Sequence, residues 1–131
     1  MKRACIDTHA LVWHASKPKR LGRRALRLLR EADLGRAQVL VPAIVAVELS
    51  LIREAGRRVI GPAELRALLS AQPAFCVLPL DLEQTVEFAL LSSIADPFDR
   101  LVIAAARSAG VPLITADETI ASSGLVPTLW D

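Results

Sequence analysis

DPFDRLVIAAARSAGVPLITAD, residues Asp96 to Asp117, holds the reading of the fold in one pass. Asp96 before Pro97 is a helix start. An aspartate ahead of a helix accepts hydrogen bonds from first-turn amides, and proline at the first helical position gives up only an N–H that has no partner there. Asp99 follows three residues on, at the third helical position, where the helix dipole favours a carboxylate and is expected to keep it ionised. The run LVIAAA is too apolar for any place but a core. Gly110-Val111-Pro112 ends the helix, and Leu113 to Ala116 is a short apolar strand leading straight to Asp117, a second cap. Helix, strand and new helix start are one repeat of a layered α/β architecture with parallel strands.

The same alternation runs upstream. Arg3 to Asp7 (RACID) is a short apolar strand closed by Asp7-Thr8, and Ala10 to His14 is a short helix broken by Lys17-Pro18-Lys19. Leu21 to Ala32 is amphipathic: Leu21, Ala25, Leu28, Leu29 and Ala32 share one face, and Arg20, Arg23, Arg24, Arg27 and Arg30 populate the other. Further strands are expected at Gln38–Val41, Phe75–Leu80 and Val126–Trp130, with helices at Ala43–Ala55, Ala63–Ala71, Leu82–Ser92 and Pro97–Ala109. Runs with so little polar alternation suit strands covered on both faces. The expectation is a single three-layer α/β domain over residues 1–131.

Composition agrees with that and excludes much else. At 53% hydrophobic and 23% charged residues the chain is not a disordered tail. Its uncharged stretches fall short of the ~18 residues of a membrane span. Asp7 cuts off the first apolar run, so no signal peptide is expected. Cys5 and Cys76 make no disulfide framework and are expected to be buried thiols in a reducing, cytoplasmic compartment. The net charge of +2 conceals a split: residues 1–66 carry 14 Lys/Arg against 6 Asp/Glu, and residues 67–131 carry 2 against 8. Such asymmetry suggests an anionic partner for one half and a separate task for the acids.

In an open parallel sheet, ligands bind beyond the carboxyl ends of the strands. Asp7 and Asp117 stand at two such ends, and either residue alone is explained as a helix cap. Glu48 lies in AIVAVELSLI, apolar nearly all round, so its carboxylate is expected to be largely buried. A buried carboxylate needs a cationic partner such as Arg53 or Arg100, or a metal. If the layered topology holds, Asp7, Glu48, Asp99 and Asp117 can converge on one crevice, where only cations or protons relieve their repulsion. Oxygen-only donors point to Mg²⁺ or Mn²⁺, and His9, His14 and the two cysteines show no zinc-ligand spacing.

In this order and spacing, DTHALVW (7–13), VAVELS around Glu48, DPFDRLVIAAA (96–106) and LITAD (113–117) closely resemble the signature blocks of PIN-domain ribonucleases, in particular VapC-type toxins of type II toxin–antitoxin systems. The resemblance covers the whole chain. It implies a five-stranded parallel sheet in the order 3-2-1-4-5 and Mg²⁺- or Mn²⁺-dependent endoribonuclease activity. Asp7, Glu48, Asp99 and Asp117 become the catalytic, metal-binding acids, with Asp96 and Thr115 as accessory candidates. Where family members often carry an aromatic three residues after the last acid, this chain has Ile120. The implied partners are an RNA substrate, a cognate antitoxin that covers the first helices and blocks the crevice, and a second copy of the chain.

Hydrolysis by a metal-activated water is the expected chemistry. No evident histidine pair supports attack by the RNA's own 2′-hydroxyl, and His9 and His14 are expected to be structural. Arg20, Arg23, Arg24, Arg27, Arg53 and Arg57, with Arg30 and Arg58, are expected to flank the crevice and grip phosphates. Single-stranded loops are the better targets, yet only Phe75, Phe88, Phe98, Trp13 and Trp130 could stack on a base, and most of these read as core. Two other readings stay open. A non-catalytic PIN-like module that binds RNA or protein would be marked by a lost acid, and none of the four is missing. A phosphatase with Asp7 as nucleophile would want an aspartate two residues on, where His9 stands.

Overall fold

Every strand of the chain pairs with its neighbours in parallel, because at least one helix stands between each strand and the next and returns the chain to the starting edge. The computed structural model describes residues 1–131. In chain order the elements are β1 (Lys2–Ile6), α1 (Thr8–Ser16), a 3-10 turn (Pro18–Arg20), α2 (Arg23–Asp33), β2 (Ala37–Pro42), α3 (Ala43–Glu54), α4 (Pro62–Ala71), β3 (Phe75–Leu78), α5 (Leu82–Ala89), α6 (Pro97–Ala109), β4 (Leu113–Ile114), α7 (Glu118–Ser123) and β5 (Thr128–Leu129). The sheet order is β3-β2-β1-β4-β5, as the resemblance implied. β1 lies at the centre, in register with β2 through Cys5↔Leu40 and with β4 through Cys5↔Leu113.

The period of two along each strand sorts the apolar side chains into two cores. Ala4, Ile6, Val39, Val41, Phe75 and Ile114 face the layer that carries α1, α2 and α4, where Leu11, Leu28, Leu29 and Leu65 cover them. Cys5, Leu40 and Leu113 face the opposite layer, built on Ile103 to Ala106 of α6. Burying each large aliphatic side chain contributes about 1.5–3 kcal/mol, and α6 buries an unbroken run from Val102 to Ala106. Alanines at 104–106 let that helix lie close to the sheet. Gly110 closes it with φ +68, a left-handed cap that turns the chain toward β4.

Several boundaries differ from expectation, for local reasons. α1 is longer than expected, because Asp7 Oδ1 accepts from Ala10 N at 2.9 Å and starts the helix at Thr8. β3 stops at Leu78, since Pro79 has no N–H to continue the ladder. β4 and β5 shrink to two residues each, the length over which they pair. Cys76 is not buried as expected: β3 is an edge strand, and the thiol is half exposed beside Gln38 Nε2 at 3.2 Å. Cys5, on the central strand, is buried, and desolvation pushes its thiol up to about 12 although Arg3 pulls the other way. No helix is long and apolar enough to cross a membrane.

α2 begins at Arg23 rather than Leu21, and its start has no side-chain cap. The Trp130 carbonyl supplies one, accepting from Arg24 N at 2.9 Å and Ala25 N at 3.0 Å. Gly22 makes the approach possible: a Cβ there would lie 2.4 Å from the Trp130 oxygen. Gly22→Ala is therefore expected to destabilise the fold by about 1–3 kcal/mol, read as a lower urea midpoint at unchanged m-value.

Candidate functional site

Parallel topology brings the carboxyl ends of β1, β2 and β4 to one edge of the sheet, and the acids gather there. Asp7 follows β1 and caps α1, Asp117 follows β4 and caps α7, and Asp96 caps α6. The capping bonds are short: Asp96 Oδ1 accepts from Phe98 N at 2.8 Å and Asp99 N at 3.0 Å, and Asp117 Oδ1 accepts from Ile120 N at 3.0 Å. Cap and site are thus the same residues, because each cap occupies Oδ1 and leaves the carboxylate on the cavity wall. Glu48 enters from α3, one turn beyond the buried Val45. Asp99 enters from the first turn of α6.

Asp7, Glu48, Asp96, Asp99 and Asp117 line one cavity of about 300 Å³, together with Thr8, His9, Trp13, Val102 and Ala116. Thr115 lies just behind it, buried, its Oγ1 accepting from Asp117 N at 3.1 Å while its hydroxyl stands beside Asp7. No lysine or arginine lines the cavity. Glu48 is half-buried rather than engulfed, since α3 turns Val47 and Leu51 outward and buries only Val45 and Leu49. Neither arginine expected as its partner pairs with it. Arg53 Nη1 donates to Val59 O at 2.8 Å, and Arg100 lies over the Phe88 ring and donates to Phe88 O. The buried Thr8 hydroxyl donates to Glu48 Oε1 instead. Thr8 had no signal of its own in the sequence beyond its place after Asp7.

The electrostatics follow from this crowding. Burial pushes Asp7 up to about 6, against the pull of Thr115, the Ala10 N–H and His9. Asp99 also rises to about 6, through burial first and then the charges of Asp96, Asp117, Glu48 and Asp7. The helix dipole was expected to keep Asp99 ionised; burial and then the four neighbouring carboxylates oppose it, so ionisation is complete only above about 6. Alone among the five, the Asp99 carboxylate accepts no hydrogen bond from the protein.

No three of these side chains stand as a ready-made direct ligand set. The donors are nonetheless all oxygens, in a pocket with an excess of negative charge. That suits a hard divalent cation that keeps part of its water shell, as Mg²⁺ does.

The arginines do not form one rim. Arg20 and Arg57 line a second cavity of about 360 Å³ that shares His9 and Trp13 with the acidic one. Arg24 and Arg27 lie on another flank, beside Lys2 and Leu129, and Arg23 and Arg30 are exposed on the same helix. Arg53 is spent on the loop that ends at Gly61. The i, i+3, i+4 spacing that puts these residues on the solvent face of α2 also turns most of them away from the crevice. His14 is structural as expected, bonded to Gln72 Oε1 at 3.1 Å and stacked on Phe75. His9 is not: it is exposed on the wall between the two cavities. Ile120 is buried in the core beneath α7.

The chain matches the PIN domain family over residues 4–123. No curated protein sequence matches it. Among solved structures it is similar to VapBC2 from Rickettsia felis, crystallised on a DNA fragment from its promoter, with a TM-score of 0.72 at 15% identity over 98% of this chain and 99% of that one. It is also similar to FitAcB from Neisseria gonorrhoeae, at 0.64 and 21% over 95% of each chain. VapBC-1 from nontypeable Haemophilus influenzae gives 0.63 and 14%, over 98% of this chain and 96% of that one.

The raised acids set a pH dependence. An unfolded aspartate releases its proton near 4, whereas Asp7 and Asp99 hold theirs to about 6 in the fold. The folded state therefore binds more protons between those values, so stability falls as pH rises through that window. In EDTA, the urea midpoint is expected to drop from pH 4.5 to 7. Asp99→Asn should flatten the drop and raise the midpoint at pH 7; an unchanged profile would contradict the crowding.

Proposed function

The chain belongs to the PIN-domain family, and we propose from that membership and its acidic cavity that it is a divalent-metal-dependent endoribonuclease, the toxin of a VapC-type toxin–antitoxin pair. The observation that carries this reading is Asp99, a carboxylate free of protein hydrogen bonds and surrounded by four others at the carboxyl edge of the sheet.

Asp7 and Asp99 would hold the Mg²⁺ or Mn²⁺, with Glu48 and Asp117 completing its shell through water or supporting a second ion. A divalent cation bound there lowers the pKa of a coordinated water and offsets the charge that develops on phosphoryl oxygens. The remaining work belongs to the chain. Thr8 fixes the Glu48 carboxylate, and the α1, α6 and α7 amides fix Asp7, Asp96 and Asp117, so the acids are positioned before substrate arrives. Asp96 is a cap and positions the first turn of α6, from which Asp99 projects. Without a cation the cavity repels a phosphodiester, which makes metal loading and RNA binding interdependent at this point.

VapBC and FitAB pairs supply the model for a partner. A small antitoxin that covers the first helices and sends an arginine into the acids would replace the cation with a guanidinium. A second copy of the chain has its own support. Val47 and Leu51 of α3, Leu82 and Val86 of α5 and Leu90 at the end of α5 are large, apolar and about half exposed or more, the side chains an isologous apolar interface would cover. If they are that interface, Val86→Glu with Leu90→Glu yields a monomer by light scattering where the parent is a dimer.

Activity decides the reading. The parent chain is expected to cut RNA with Mg²⁺ and not with EDTA, leaving 5′-phosphate and 3′-hydroxyl ends, with no turnover of phosphomonoesters. Asp99→Asn should lose at least about 100-fold in rate, as expected for removal of a group that acts in the transition state. Full activity in that variant, with folding verified by circular dichroism, would refute the assignment.

A further inference from the structure

The cavity beside the acidic one has the opposite character. Lys17, Arg20, Arg57 and Arg58 line it and no acid does. None of the four is neutralised, since the one ion pair of the chain joins Arg107 to Glu87. Arg57 and Arg58 reach the groove from the exposed loop between α3 and α4, and Lys17 and Arg20 from the turn after α1. The two cavities are separated only by His9 and Trp13, which belong to both walls. Trp13 is half-buried, tilted against Trp130 at 5.7 Å between centroids, with the Arg20 guanidinium 5.6 Å from its ring centroid. Its buried part packs on the core and its exposed part forms the partition together with His9, whose ring is tilted against it at 6.2 Å between centroids.

We propose that this groove is the binding track for the single-stranded RNA segment next to the scissile phosphate, with Trp13 as the platform on which the intervening base stacks. The inference rests on the ribonuclease reading and assigns the substrate's path. A polynucleotide presents what the juxtaposition requires: a phosphate for the acid-held cation, a flat base for the indole, and a further phosphate for Lys17, Arg20, Arg57 and Arg58. Sequence-tolerant single-strand sites combine a cationic groove with aromatic stacking in this way. The Arg20 guanidinium over the ring adds a planar cation on which a base can also stack. Val12, Ile52 and Val59 line the groove as well, so an acidic peptide with apolar side chains is the competing occupant, and the test separates the two. Trp13 acts as a specificity-determining residue, outside the reacting atoms.

The test is binding in EDTA, where nothing is cleaved, by fluorescence anisotropy of labelled oligoadenylate and oligouridine at several salt concentrations. The parent is expected to bind, more tightly to oligoadenylate. Trp13→Leu should weaken binding by about ten-fold and erase the preference for adenine, whereas Trp13→Phe should retain much of both. Arg57→Ala with Arg58→Ala lies on an exposed loop and does not depend on how the Trp13 variants fold. It should lower the slope of log affinity against log salt by about 1.4, the loss expected for two phosphate contacts on a single strand. The proposal is overturned if the parent does not bind, or if the Arg57/Arg58 pair leaves affinity and slope unchanged. It is overturned equally if polyglutamate competes fully and folded Trp13→Leu binds as the parent does, an outcome that assigns the groove to an acidic peptide. A parent that cuts RNA while these variants bind normally refutes the groove alone. Oligonucleotide binding through the groove without Mg²⁺-dependent cleavage refutes the ribonuclease reading alone.

Discussion

At the start of α1, α6 and α7 an aspartate carboxylate accepts a hydrogen bond from an amide of the first turn. A helix leaves four amides unpaired at its beginning, and in a parallel sheet these helix starts face the same edge. Near the centre of the sheet the side chains that satisfy them meet in one place, whereas Asp81, which caps α5 beyond the edge strand β3 by the same bond to Gln84 N, stays outside the cavity. Asp7, Asp96 and Asp117 are local solutions to a backbone problem, and their sum is a concentration of negative charge that no single turn required. Glu48 and Asp99 complete it from α3 and α6. The cluster depends on these caps for its geometry, and only protons or a bound cation relieve its charge, which is why Asp7 and Asp99 hold their protons to about 6.

The overall charge of +2 has a structural meaning only when resolved into places. The acids occupy one cavity and the cations Lys17, Arg20, Arg57 and Arg58 the next, with His9 and Trp13 between them. Charge of each sign is thus concentrated in its own cavity, side by side, rather than averaged over the surface. The arginines of α2 contribute a diffuse field from another flank rather than contacts at the crevice.

Much of this was legible in the sequence, and what was not has physical causes. Helix caps, glycine stops and apolar runs gave the alternation of elements, and the DPFDRLVIAAA and LITAD blocks, through the family resemblance, led to the strand order. Pairings across the chain were harder. Nothing local told that Glu48 bonds to Thr8, forty residues earlier, and the apolar surroundings of AIVAVELSLI suggested a burial that α3 does not provide. The helix dipole at Asp99 is a local effect, whereas the burial that opposes it and the repulsion from Asp117, Glu48 and Asp7, added to that of the neighbouring Asp96, depend on three other segments. Cys76 looked buried because apolar neighbours in sequence do not reveal that β3 lies at the edge. Helical periodicity placed the α2 arginines on the solvent face correctly. It could not tell which way that face points.

The Trp130 carbonyl that caps α2 has a kinetic side. The contact joins residues from nearly opposite ends of the sequence, so closing it carries the entropy of a loop as long as most of the chain. Contacts of such high sequence separation slow folding and form late, once the intervening strands have paired. The first turn of α2, next to the Arg20 wall of the basic groove, is then among the last parts to set. The β1–β4 pairing that brings Asp7 beside Asp117 spans as much of the chain, through Cys5↔Leu113 and Ile6↔Ile114, so the acids and this wall of the basic groove belong to the same late stage of assembly.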